Sequence, residues 1–195
     1  TSKSTKYQQH LPYSIGYYLY CSYNKSLSFY KSYTGRDCLQ WYANELFQIA
    51  ARLHPYFEAV VPMTPLNVLQ EEEFKNATTC HICERSIMPH HIKVRDHCHF
   101  TGRYRGCAHN SCNLNYKTPK TIPVIFHNLS GYDSHFLIKD IAQSFSGSMY
   151  ILPINKEKYI SFTKTVAEKG NLKFRFIDSY RFLNFPLDVL ASSLP

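Results

Sequence analysis

Two short pairs of metal-binding side chains, Cys80-x-x-Cys83 and His109-x-x-Cys112, constrain this chain more than any other feature. Four thiolate or imidazole donors are the set that a closed tetrahedral zinc site requires. Closing them on one ion would gather the residues between them into a small looped module. Cys107-x4-Cys112 offers a competing third ligand, but His109-x-x-Cys112 repeats the spacing of the first pair and is preferred. The seven cysteines are an odd number, and five of them lie among histidines between positions 80 and 112. That distribution favours metal binding over disulfides and points to a reducing compartment. Cys21 and Cys38, in apolar surroundings, read as buried small hydrophobes.

Inside the expected loop lies Asp96-His97-Cys98-His99, and Asn113 follows Cys112 directly. Asp96 offers a hard oxygen suited to magnesium or manganese, and the amide oxygen of Asn113 can complete such a site. His97 carries an imidazole, a base able to activate water. On a strand, Asp96 and His97 would face opposite ways unless a bend or bulge re-aims one of them. A second reading makes His97 and His99 further zinc ligands or hydrogen-bonded strand residues; the four-donor set already fills the zinc. The net charge of +8 is concentrated here: residues 80–120 hold seven basic and two acidic side chains, against seven and six in 1–79 and eight and six in 121–195. Such a basic cluster fits a polyanion, because Lys and Arg beside phosphates gain from counterion release.

The flanking regions carry a hydrophobic pattern, and 44% hydrophobic composition supports a real core. Residues 13–21 and 26–31 predict two antiparallel strands. Leu39, Tyr42, Leu46, Ile49, Ala50 and Leu53 recur at helical spacing and predict a helix over 37–53. Pro55, Pro62 and Pro65 are expected to break the next stretch, with Thr64-Pro65 opening a short helix through Phe74. Glu71, Glu72 and Glu73 on that helix read as a solvated face without chemistry. Further expectations are a strand at 123–127, a helix from Asp133 ending before Gly147, and strands at 149–152, 159–163 and 173–178. The last two would form a hairpin around Lys169-Gly170-Asn171. No run is long and apolar enough for a membrane span, and residues 1–6 lack the apolar core of a signal peptide. The absence of an initial Met and the ending Ser-Ser-Leu-Pro read as part of something longer.

The order Cys-x2-Cys, Asp-His-x-His, Gly-x-x-Arg-Gly, Cys-Asn resembles the recombination endonuclease VII branch of the His-Me finger (ββα-metal, HNH-like) nucleases. That resemblance implies a catalytic divalent ion on Asp96 and Asn113, His97 as general base, His99 on the scissile phosphate, and structural zinc on Cys80, Cys83, His109 and Cys112. Family members usually have Cys where this chain has His109, an exchange that zinc accepts. Ile122-Pro-Val-Ile-Phe-His-Asn-Leu-Ser-Gly-Tyr-Asp133 resembles the second exonuclease motif of protein-primed family B DNA polymerases, and Phe176–Leu183 resembles the strand after it. By that resemblance Asp133 binds a catalytic metal while Asn128 and Tyr132 touch a single strand. The first and third exonuclease motifs are missing, so this second site is incomplete. The combination resembles polymerases of Polinton/Maverick mobile elements and related viruses.

The resulting expectation is an α/β chain: a partial ribonuclease H-like exonuclease fold (1–79 and 121–195) interrupted by a zinc-bound ββα-metal module (80–120). The expected activity is magnesium- or manganese-dependent DNA endonuclease cleavage within a mobile-element or viral DNA polymerase, with Arg95, Arg103 and Arg105 gripping phosphate. The alternatives are a catalytically silent zinc-stabilised DNA-binding element and an incomplete proofreading exonuclease region. Expected partners are DNA and the remainder of a polymerase polypeptide, with no membrane. The expected location is intracellular, in the nucleus or at a site of viral DNA replication.

Overall fold

A computed structural model describes residues 10–155 and 159–194, and of Tyr132 the backbone alone. In chain order the elements are β1 (Ser14–Leu19), β2 (Phe29–Thr34), α1 (Cys38–Glu58), α2 (Val68–Asn76), β3 (Lys93–His97), β4 (Tyr104–His109) and α3 (Asn110–Asn115). Then follow β5 (Thr121–Phe126), a π-helical turn at Leu129–Asp133, α4 (Ser134–Ser144), β6 (Met149–Pro153), β7 (Tyr159–Val166), β8 (Leu172–Asp178) and α5 (Leu187–Ser192). The architecture is mixed α/β, and the chain divides into two compact units: Thr1–His54 with Lys120–Pro195, and Pro55–Pro119.

In the first unit β1 and β2 pair antiparallel from Ser14↔Thr34 to Leu19↔Phe29. The second strand starts three residues later than the sequence predicts, because Asn24 caps a 3-10 turn at Lys25–Leu27 by accepting from the Ser26 N–H at 3.0 Å. Helix α1 buries Cys38, Tyr42, Ala43, Leu46, Ile49 and Ala50, the face that the spacing implied. It runs past its expected end and through Pro55, with the Ala59 N–H donating to the Pro55 carbonyl at 2.9 Å. Proline has no N–H to donate and its ring crowds the carbonyl of Ala51, yet the helix continues to Glu58. The four-stranded sheet has the order β5-β8-β7-β6, with β5 parallel to β8 and the other pairs antiparallel. Strand β8 alternates strictly: Leu172, Phe174, Phe176 and Asp178 are all buried. Phe176 stacks on Phe162 with ring centroids 4.2 Å apart and planes at 12°. Leu137 and Ile141 of α4 are buried as well.

The second unit contains β3 and β4 as an antiparallel hairpin followed by α3, giving the order β-β-α. This compact unit begins at Pro55, and the segment ahead of Cys80 is hydrogen-bonded into the hairpin. The Val61 N–H donates to the His99 carbonyl at 2.7 Å, and the Thr64 N–H to the Gly102 carbonyl at 2.8 Å. Gly102 adopts φ +70°, and a Cβ there would strike the Pro62 carbonyl, so the turn requires glycine. Helix α2 starts at Val68, later than Thr64-Pro65 suggested. Asn67 supplies a capping box with Gln70, and the Thr64 hydroxyl instead donates to the Gly102 carbonyl. Lys93 Nζ then donates to the carbonyls of Lys75 and Ala77. No helix of the described residues is long and apolar enough to cross a membrane.

Candidate functional site

The two ligand pairs converge. Sγ of Cys80, Cys83 and Cys112 and a ring nitrogen of His109 lie within 4.8 Å of one another. His109 Nδ1 stands 3.5 Å from Cys83 Sγ and 3.7 Å from Cys112 Sγ. Donors about 2.0–2.3 Å from one tetrahedral ion are roughly 3.4–3.8 Å apart, so this Cys3His cluster is compatible with structural zinc. The other ring nitrogen of His109, Nε2, is 3.1 Å from His91 Nδ1, which fixes the ring with Nδ1 facing the thiols. Burial pushes the Cys80 thiol up, but the N–H groups of Cys83, His109 and Ile82 outweigh it and bring the thiol well below its ordinary value. An anionic sulfur is the form that binds metal. Cys107, the competing ligand, is buried outside the cluster.

Asp96 sits in β3 at 1% exposure. Arg105 grips it bidentately, Nε to Oδ2 at 2.9 Å and a terminal nitrogen to Oδ1 at 2.8 Å. His81 Nε2 is 2.7 Å from Oδ2. Burial alone would raise the carboxyl, but Arg105 and then His81 hold it below the ordinary carboxylate value. A bulge is present, in the partner strand rather than at Asp96-His97: Asp96 pairs with Gly106 and His97 with Tyr104, leaving Arg105 as the extra residue. In an unbroken ladder Arg105 would face away from Asp96; the bulge turns it towards the carboxylate. Gly106, at φ +151°, leaves room for His81, whose Cγ would lie 3.0 Å from a Cβ there.

His97, half-buried at the end of β3, and exposed His99 have ring centroids 5.0 Å apart. Asn113 is half-buried on α3 beside the ligand Cys112. Of the three arginines expected to grip phosphate, Arg103 is exposed, Arg95 is bonded to Glu71 at 3.0 Å and lies 4.2 Å over the Phe74 ring, and Arg105 is committed to Asp96. Glu71 therefore has a structural role that a solvated face did not suggest.

In the first unit, the turn after β5 holds the other expected residues. Asn128 is exposed in a left-handed conformation, Asp133 is half-buried at the start of α4, and the Tyr132 side chain lies outside the described residues. Burial, and then the charge of Asp178, raise the Asp133 carboxyl above its ordinary value. Asp178, at the end of β8, was not singled out from the sequence. Its Oδ2 accepts from the Ser130 N–H at 2.9 Å and hydroxyl at 2.6 Å, and its Oδ1 from the Tyr180 N–H at 3.1 Å. Its place in the alternation Leu172, Phe174, Phe176 was the available signal. His81 was also missed, since nothing in the spacing of a Cys-x-x-Cys pair points to the residue inside it.

Residues 65–130 match the family model for recombination endonuclease VII, and residues 113–194 match that for DNA polymerase type B, organellar and viral. The composite suspected from the motifs is therefore found: an endonuclease VII segment running into a family B polymerase segment. No curated protein and no solved structure matches the chain.

Proposed function

We propose that the unit Pro55–Pro119 is a zinc-clamped DNA endonuclease module that hydrolyses phosphodiester bonds, carried within a polypeptide related to family B DNA polymerases. The observation that carries this reading is the hairpin end. His97 at the end of β3 and His99 in the turn that follows bring their rings together, next to an Asp96 buried among charged partners, and the hairpin runs directly into the Cys3His cluster. The match to recombination endonuclease VII over these residues supports it. In this reading His97 takes the proton of the attacking water, His99, Arg95 and Arg103 bind phosphate oxygens, and the cluster, holding zinc, keeps α3 and the hairpin in register. Asp96 and Asn113 present hard oxygens of the kind that magnesium or manganese takes, and such an ion would stabilise charge on the phosphate.

The first unit is proposed as part of a ribonuclease H-like exonuclease fold, with Asn128 and Tyr132 as contacts to a single strand. Its carboxylates do not form a two-metal set by themselves: among the described residues the Cys3His cluster is the group of three or more potential ligands that comes together. The polypeptide would act where viral or mobile-element DNA is replicated, in the nucleus or a viral replication site, joined to the rest of a polymerase. One observation favours a silent DNA-binding element instead: both oxygens of Asp96 are taken by protein donors.

Nicking of supercoiled DNA under magnesium or manganese separates the two. Wild type should nick, while His97→Ala, at equal zinc content and unchanged circular dichroism, should be slower by about 100-fold or more. Equal nicking by both would remove His97 from the chemistry. DNA binding without cleavage by either would leave the silent element.

A further inference from the structure

Asp96 is a buried carboxylate with every oxygen bonded to a positively charged or chargeable side chain. His81 occupies Oδ2 alone among the residues of the first ligand pair, and its ring is seated in the space left by Gly106. Arg105 is a different kind of partner. It spans both oxygens, its side chain is 25% exposed, and its Cζ lies 4.3 Å from the centre of the Tyr116 ring. A guanidinium fork fits a carboxylate and a phosphate equally well, so Arg105 can exchange one for the other. A divalent ion needs an oxygen of Asp96 at about 2.1 Å, where the guanidinium now donates. Two cations do not share that position. Removing Arg105 without a replacement would strand a buried charge, whereas exchanging it for a metal ion keeps the charge compensated.

From this arrangement we infer that Arg105 is the gate of Asp96. A phosphodiester that draws the guanidinium outward opens Oδ1 to a divalent cation, and His81 keeps Oδ2 anchored during the exchange. Metal and nucleic acid therefore load together, and by linkage each raises the affinity for the other. The bulge is what makes the gate, since it places a phosphate-binding side chain on the metal-binding carboxylate. The inference rests on the reading of Asp96 as a metal ligand.

The test is manganese binding by the zinc-loaded chain without DNA, followed by the electron paramagnetic resonance signal of free Mn2+. Arg105→Gln should bind Mn2+ at least about fivefold more tightly than wild type. The gain should vanish in Asp96→Asn/Arg105→Gln. Equal, Asp96-dependent binding by wild type and Arg105→Gln overturns the gate and leaves the metal role of Asp96 standing. Binding that ignores Asp96 in every variant overturns both.

A second measurement needs no substitution of Arg105. Without divalent ions, Asp96→Asn should bind duplex DNA more tightly than wild type, with a salt dependence steeper by about one phosphate contact. An unchanged salt slope overturns the gate.

Discussion

The two units bury apolar side chains to very different extents. In the first, the described core is aromatic and aliphatic: Tyr42, Leu46, Ile49, Leu137, Ile141, Phe162, Phe174 and Phe176 are all buried. In the second, the buried hydrophobic residues among those described are Cys80, Cys107 and Ala108. Each unit also buries one aspartate, and they are satisfied differently. Asp178 accepts from neutral donors, the Ser130 N–H and hydroxyl and the Tyr180 N–H, whereas Asp96 is held by Arg105 and His81. A small unit without a hydrophobic core needs another source of folding energy, and a structural metal is the usual one. The comparison also separates how the two are held: short neighbouring groups organise the loop around Asp178, while Asp96 is balanced by a part-exposed guanidinium.

The largest expected effect breaks that contrast at the metal. Structural zinc contributes roughly 10–16 kcal/mol to folding in small modules. Chelation, or Cys83→Ser, should unfold the second unit and leave the first intact. Limited proteolysis checks this: cuts confined to 55–119 support it, and cuts spread through 120–195 would show that the first unit depends on the metal too. Phe176→Ala attacks the other side of the comparison. Losing the stack on Phe162 should cost about 3–5 kcal/mol in chemical denaturation while zinc content stays unchanged.

Asp178→Ala is a smaller change, worth about 1–3 kcal/mol, because it leaves the Ser130 and Tyr180 donors without an acceptor. It should also flatten the acid limb of stability. Burial raises the Asp178 carboxyl, but the Ser130 and Tyr180 donors outweigh that and set it below its ordinary value. Its contribution is therefore complete above the unfolded pKa of about 3.9 and is lost as pH falls through the depressed folded value. A denaturation series from pH 6 downward, wild type against variant, measures the difference. Smallest is Glu71→Gln, which frees the exposed Arg95: stability should change by less than about 1 kcal/mol. DNA affinity should rise slightly, as read by fluorescence anisotropy at low salt.

Most of the first unit was legible because its strands alternate and its helix repeats at three and four residues; β6, β7, β8, α1 and α4 fall within a few residues of expectation. The metal cluster was legible for a different reason, since ligand spacing in the chain carries over directly to ligand spacing in space. What was not legible depends on contacts that spacing does not encode. The partner of Arg105 is decided by a single extra residue opposite Asp96, and the boundary at Pro55 by backbone bonds from Val61 and Thr64 to a turn some 40 positions on.

The first unit is made of two segments separated by the whole of Pro55–Pro119. Its two parts, residues 1–54 and 120–195, meet only after the intervening loop has closed, and an unstructured loop of that length carries an entropic cost that slows such encounters. The second unit is contiguous and its ligands are local. Once metal-bound, it turns a long floppy loop into a compact one. Metal supply during synthesis should therefore set how fast the first unit, which holds no metal cluster among its described residues, reaches its folded state.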